Sequence, residues 1–244
     1  MDLVLLDWTR MGKSYCLAGA VAEGTGYGVV RPLPGRSRSS PIRNVGWSPF
    51  LLEGHTRWEV FELVGPEPAR SEPPHTEDHW VRSLRPKRCL ANVPMRRAIL
   101  EATTLKQGEC LFGAPLGSTR ASACLAPGAG SRSLITAIVP SDQVKFAGSM
   151  RAGALEADWR VSLPVPDIGV RQLAVKDHFL LQQASRAGNS LDQQIPAMNA
   201  LVRRMGERIA VRLGLSRAFP AGDGAAACCW LMADGFFSLC EPMP

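Results

Sequence analysis

Pro74-His75-Thr76-Glu77-Asp78-His79-Trp80 concentrates the side chains best suited to metal binding and acid–base chemistry. His75 and His79 are four apart and share a face if the segment is helical. His75-x-Glu77 also copies the first half of a zinc deaminase signature, but the second half, Pro-Cys-x-x-Cys, is missing. Pro86-Lys87-Arg88-Cys89 and Cys228-Cys229 do not supply it, and no spacing obliges His55 or Cys89 to complete a site. The segment therefore supports a metal-dependent nuclease or hydrolase on His75, Glu77, Asp78 and His79 as an alternative only. A turn held by side-chain hydrogen bonds is the plainer expectation. Gly12-Lys13-Ser14 suggests a phosphate-binding loop, but Asp7 stands where its first glycine belongs, and Tyr15 to Val21 reads as strand rather than helix. There is no G-x-S-x-G, and four histidines offer no evident triad. No catalytic residue, metal or cofactor is expected.

Charge points elsewhere. The net charge is +6, and seven basic residues between Arg82 and Lys106 face one acid, Glu101. Five arginines between Arg203 and Arg217 face Glu207. Arginine forks suit phosphate oxygens, although only five of the 28 basic residues are lysine, a bias that a preference for arginine codons would also produce. Tyr15, Tyr27, Trp47, Trp58 and Trp80 lie among basic residues, where rings on an open sheet stack on bases; large aromatics also serve as core.

Leu3–Leu6, Ser14–Val21 and Tyr27–Leu33 read as strands, with a turn at Glu23–Gly26. Residues 34–49 and 66–74 read as loops, Thr56–Val64 as a half-buried strand, and Met95–Leu105 as a helix opened by Pro94. Residues 107–132, rich in glycine, read as a linker. Ser133–Val139, Trp159–Val165 and Val170–Val175 read as strands, then a helix over His178–Ala187 capped by Asp177 and another over Leu191–Met205. The period of two in Ile209, Val211, Leu213 and Leu215 predicts a strand over Arg208–Phe219. Ala226–Met232, Asp234-Gly235 and Phe236–Leu239 read as strand, hairpin-type turn and return strand.

Arg10-x-x-Lys13-x-x-Cys16-x-Ala18-Gly19, Val30-Arg31-Pro32-Leu33 and the His75/Glu77 segment resemble the bacterial dual OB-containing domain family. Leu213-Gly214-Leu215-Ser216-Arg217 and Cys229-Trp230 are similar to that family's closing strands, while Trp8-Thr9 and Val29 depart from its pattern. The resemblance implies two five-stranded barrels, no established catalytic residues, and an accessory role in mobile or defence-related bacterial gene clusters.

The expected fold is mainly β with α (α+β): two OB-like β-barrels with inserted helices, over residues 1–126 and 127–244. The expected function is non-catalytic binding of single-stranded or guide nucleic acid, as a subunit of an antiphage defence or RNA-guided complex with other protein subunits. The contact residues expected are Arg10, Lys13, Tyr15, Arg31, Arg82, Arg85, Lys87 and Arg88. A protein-interaction adaptor without nucleic-acid contact is the alternative. Scattered cysteines, seven in all, suit reduced thiols, and with no apparent signal peptide or membrane span the chain is expected in the cytoplasm, off the membrane.

Overall fold

A computed structural model describes residues 1–12, 14–35, 46–90, 92–118, 122–150, 157–220, 222 and 224–240. Among these residues the fold is mostly β with some helix. Strands β1 (Asp2–Met11), β2 (Ser14–Glu23) and β3 (Gly26–Pro34) form an antiparallel meander. Gly12, at φ +60°, lies in the first turn, and Ser14 opens β2, so the candidate phosphate loop is a strand-to-strand turn. Next come α1 (Pro49–Leu52), β4 (Glu59–Val64), β5 (Glu67–Pro68), β6 (Asp78–Val81), β7 (Ser83–Cys89) and α2 (Val93–Ala102). β4 lies between β1 and β7, and β6 runs parallel to β3. Only Arg82 separates β6 from β7, so one stretch of chain supplies both sides of the opening and the sheet curls back on itself. Leu3, Leu5, Trp8, Leu17, Val21, Val30, Phe61 and Leu63 fill its interior.

The second half holds β8 (Gly117–Ser118), β9 (Ala123–Leu125), β10 (Leu134–Pro140), β11 (Lys145–Met150), β12 (Ala157–Val165) and β13 (Gly169–Val175). Helices α3 (His178–Arg186) and α4 (Leu191–Arg204) follow, then β14 (Arg208–Leu215), β15 (Phe219–Pro220) and β16 (Ala227–Ser238). β11, β12 and β13 form a meander, β13 runs parallel to β16, and β14 lies between β16 and β10. β10 and β11 are again one stretch of chain, interrupted at 141–144. The two halves therefore share one connectivity. In each, the third segment of a meander lies parallel to the last, and the fourth lies between the last and the first. Asp177 accepts from the Leu180 N–H at 3.1 Å and caps α3 as expected.

The structure corrects three expectations. Leu111, Phe112, Ala123 and Leu125 are buried in the second core, and β9 pairs with β16, so the expected linker over 107–132 is part of the second half. These residues stand before the expected division at 126/127. Asp234 and Gly235 form no hairpin: β16 runs on through them, with a bulge at Asp234 where Arg212 pairs with Gly235 and Leu213 with Ala233. β11 was not foreseen, and of the loop expected over 34–49, residues 36–45 lie outside those described.

The halves join across a mixed surface. Leu6, Ala20, Val60, Ile99 and Leu100 pack against Ala210 and Phe237. A register shift between Leu5 and Asp7 leaves both Leu6 and Asp7 facing the second half, where Asp7 meets Arg212. Arg57 reaches across to donate to the Phe236 carbonyl at 2.7 Å and to Asp177 at 2.5 Å.

Candidate functional site

Strand alternation sends every second side chain away from each core. On β2 and β3 these are Cys16, Ala18, Arg31 and Leu33; on β12, Asp158 and Arg160; along β13 and just beyond it, Ala174 and Lys176; on β16, Trp230, Met232 and Asp234. All of them line one cleft of about 800 Å³ between the two sheets. Arg10 and Gly12 at the end of β1, His75 before β6, and Ser216, Arg217 and Phe219 after β14 complete its walls.

The cleft is basic, with aromatic rings at one side. Arg160 is held by Asp158 at 3.0 Å, and Arg217 by Asp78 at 2.5 Å. Phe219 is half exposed, and its ring lies 6.2 Å from that of Trp230, whose indole N–H donates to the Phe219 carbonyl at 3.0 Å. That bond fixes the pair without using their faces.

Beneath the cleft lies a buried ion network. Arg31 donates to Asp78 at 3.2 Å, to the Ser133 hydroxyl at 2.7 Å and to His75 Nδ1 at 2.9 Å, and pairs with Glu77 at 3.1 Å. Glu77 in turn accepts from the Ser133 hydroxyl, and Asp78 from the Ser71 hydroxyl at 2.6 Å. Arg217 reaches the same Asp78 from the second half, so the network ties the two halves together at the cleft. Burial first, then Arg31 and Arg217, push His75 down to about 2, so its imidazole is neutral. Burial, then the neighbouring Asp7 carboxylate, push Asp234 up to about 7 against the pull of Arg31, Arg212 and Lys176. Desolvation likewise raises the Cys16 thiol, so it stays protonated and unreactive at neutral pH.

This geometry lends the metal-site alternative no support. Among the described residues no three His, Cys, Asp or Glu side chains converge to hold a metal ion. Glu77 and Asp78 are committed to arginines, whose charges repel a cation, and His79 Nδ1 lies 3.0 Å from the Glu77 carbonyl. His75, which faces Ser216 and Arg217, is therefore part of the joint between the halves, and His79 is tied to its own segment.

The expected nucleic-acid contacts scatter. Arg10 and Arg31 line the cleft, but Arg31 is only 5% exposed and its guanidinium is engaged from several sides. Lys13 lies outside the described residues. Tyr15 packs edge-on against Trp8 at 5.5 Å and His178 at 5.1 Å, away from the cleft. Arg82, Arg85, Lys87 and Arg88 belong to the edge around β7 and do not line the cleft; Lys87 pairs with Asp2 at 3.0 Å and Arg85 with Glu62 at 3.9 Å. Sequence reasoning missed Arg160, Lys176, Phe219, Trp230 and Asp234. The outward phase of the strands over 159–165 and 170–175 held the signal for the first two.

The chain matches no family model and no curated protein. Two solved structures are similar over most of its length. One is a murine DNA-binding protein bound to double-stranded DNA: 9% identity and a TM-score of 0.31, over 96% of this chain and 98% of that one. The other, from work described as structural mimicry for functional antagonism, has 11% identity and a TM-score of 0.34, over 97% and 90%. Likeness at this level leaves the ligand to be argued from the chain's own residues.

Proposed function

We propose that this chain is a tandem of two OB-like barrels that binds single-stranded nucleic acid, without catalysis, in the cleft between them. The carrying observation is the meeting of Arg160, Lys176 and Arg217 with the fixed Phe219–Trp230 ring pair in one groove. Cations that track phosphates beside rings that stack on bases are the two components of sequence-tolerant strand binding. An OB barrel uses the face of its second and third strands and the loops flanking them. Here β2/β3 and β12/β13 turn those faces to the cleft, and the fourth-to-fifth-strand connections contribute His75, Arg217 and Phe219. The shared connectivity of the halves supports the barrel reading. So does the resemblance to the dual OB family, whose closing motifs fall on Leu215, Ser216, Arg217 and Trp230 of the cleft wall. Association with other protein subunits rests on that resemblance alone.

Binding of a fluorescent 12-nucleotide oligo-dT, followed by anisotropy across a salt series, tests this. Three phosphate contacts give a log–log slope of about −2, and Lys176→Ala lowers its magnitude by about 0.7. Phe219→Ala weakens binding about tenfold by removing one stacking face. A salt-independent affinity, or a Phe219→Ala variant that binds unchanged, defeats the proposal.

A further inference from the structure

Two strand irregularities face each other under the cleft. The shift in β1 sets Asp7, and the bulge in β16 sets Asp234, against the same arginine. Arg212 spends itself on one of them: Nε and Nη2 donate to Asp7 at 2.8–3.1 Å, and Nη1 donates to Thr136 at 3.2 Å. Asp234 is 4% exposed, and its Oδ1 has no hydrogen-bond partner. One further buried atom on a cleft-lining residue is also unpartnered, Arg31 Nε, whereas the neutral His75 ring already faces the Ser216 backbone. A guanidinium nitrogen can only donate. Buried donors without partners are costly and mark places where something else supplies the acceptor.

We infer that Arg31 Nε and Asp234 form a phosphate-holding subsite at the floor of the cleft, with Asp234 acting in its protonated form, so that the strand takes up a proton as it binds. The inference rests on the strand-binding reading of the cleft. With a proton on Asp234, both groups are donors, and a phosphodiester offers only acceptors. The charged and titratable groups facing Asp234 are Asp7 from β1, Cys16 from β2, Arg31 from β3, Lys176 beyond β13 and Arg212 from β14. The like charge of Asp7 and the buried position already favour the neutral acid, and a phosphate anion acts in the same direction. Affinity then falls as pH rises through neutrality, as Asp234 gains a charge that repels the ligand.

The test measures oligo-dT affinity at pH 6 and pH 8 at constant ionic strength. For one group near pH 7 the protonated fraction falls from about 0.9 to about 0.1, so wild type binds about tenfold more weakly at pH 8. Asp234→Asn, which stays neutral, binds with equal affinity at both. An abasic 12-mer, which keeps the phosphates, retains the wild-type slope. Calorimetry of wild type in buffers of different ionisation enthalpy shows about half a proton or more taken up per strand at pH 7, a readout that does not require the variant to fold. Salt-dependent binding without a pH slope, an unchanged slope in Asp234→Asn, or loss of the slope with the abasic strand overturns the subsite and leaves the strand-binding reading standing. No binding at either pH overturns both.

Discussion

Among the described residues Arg212 is the largest fully buried side chain, and its partner Asp7 lies 205 positions earlier. Such a pair is expensive to desolvate, and its net contribution to stability is small; removing one member alone strands a charge in the interior. Asp7→Leu is therefore expected to lose about 3–5 kcal/mol in urea unfolding at pH 7, whereas Asp7→Leu with Arg212→Met loses much less. A single substitution costing under about 1 kcal/mol removes this account of the joint. The sequence marks Asp7 and Arg212 only as an acid on a strand and an arginine in a cluster; their pairing follows from how two sheets dock. Arg31 shows the same limit. Its residue type suited phosphate, but Glu77 and Asp78, which looked like chemistry, hold both of its terminal nitrogens and leave only Nε.

Elements were easier to read than partners, because alternation is local and pairing is not. Ile209, Val211, Leu213 and Leu215 showed β14 directly, and Asp177 announced α3. Asp234-Gly235 misled because the same dipeptide that favours a tight turn also permits a bulge. What decides here is the neighbour on β14. A Cβ built on Gly214 overlaps the Asp234 carboxylate, so glycine there is what admits the inward-turned acid. Gly214→Ala is expected to cost about 1–3 kcal/mol in thermal or urea unfolding, with much of the loss recovered in Gly214→Ala/Asp234→Ala. Equal destabilisation with and without Asp234 counts against this packing. Residues 107–132 misled for the opposite reason. Their glycines and prolines hid Leu111, Phe112, Ala123 and Leu125, too sparse to show a period yet buried in the second core.

At the scale of the molecule, the proposed strand binding needs cleft walls that keep their spacing, since a strand bridging two loosely tethered halves would have to order them as it bound. The joint opposes that looseness in three ways. Leu6, Ala20, Ile99 and Leu100 meet Ala210 and Phe237 in an apolar patch; Asp7–Arg212 and Arg57–Asp177 cross it; and the Arg31–Glu77–Asp78 network locks to Ser133 and Arg217 beside the groove. Separating the halves would expose that apolar patch and leave charges on both faces without partners. Thermal unfolding is thus expected as one transition, with calorimetric and van't Hoff enthalpies agreeing. A fragment of residues 127–244, lacking the Leu111, Phe112, Ala123 and Leu125 side chains and the acids that hold Arg212 and Arg217, is expected to unfold without a cooperative transition. Two resolved transitions in the intact chain, or a cooperatively folding fragment, would mean that the halves are independent and that the cleft is assembled by its ligand rather than ready for it.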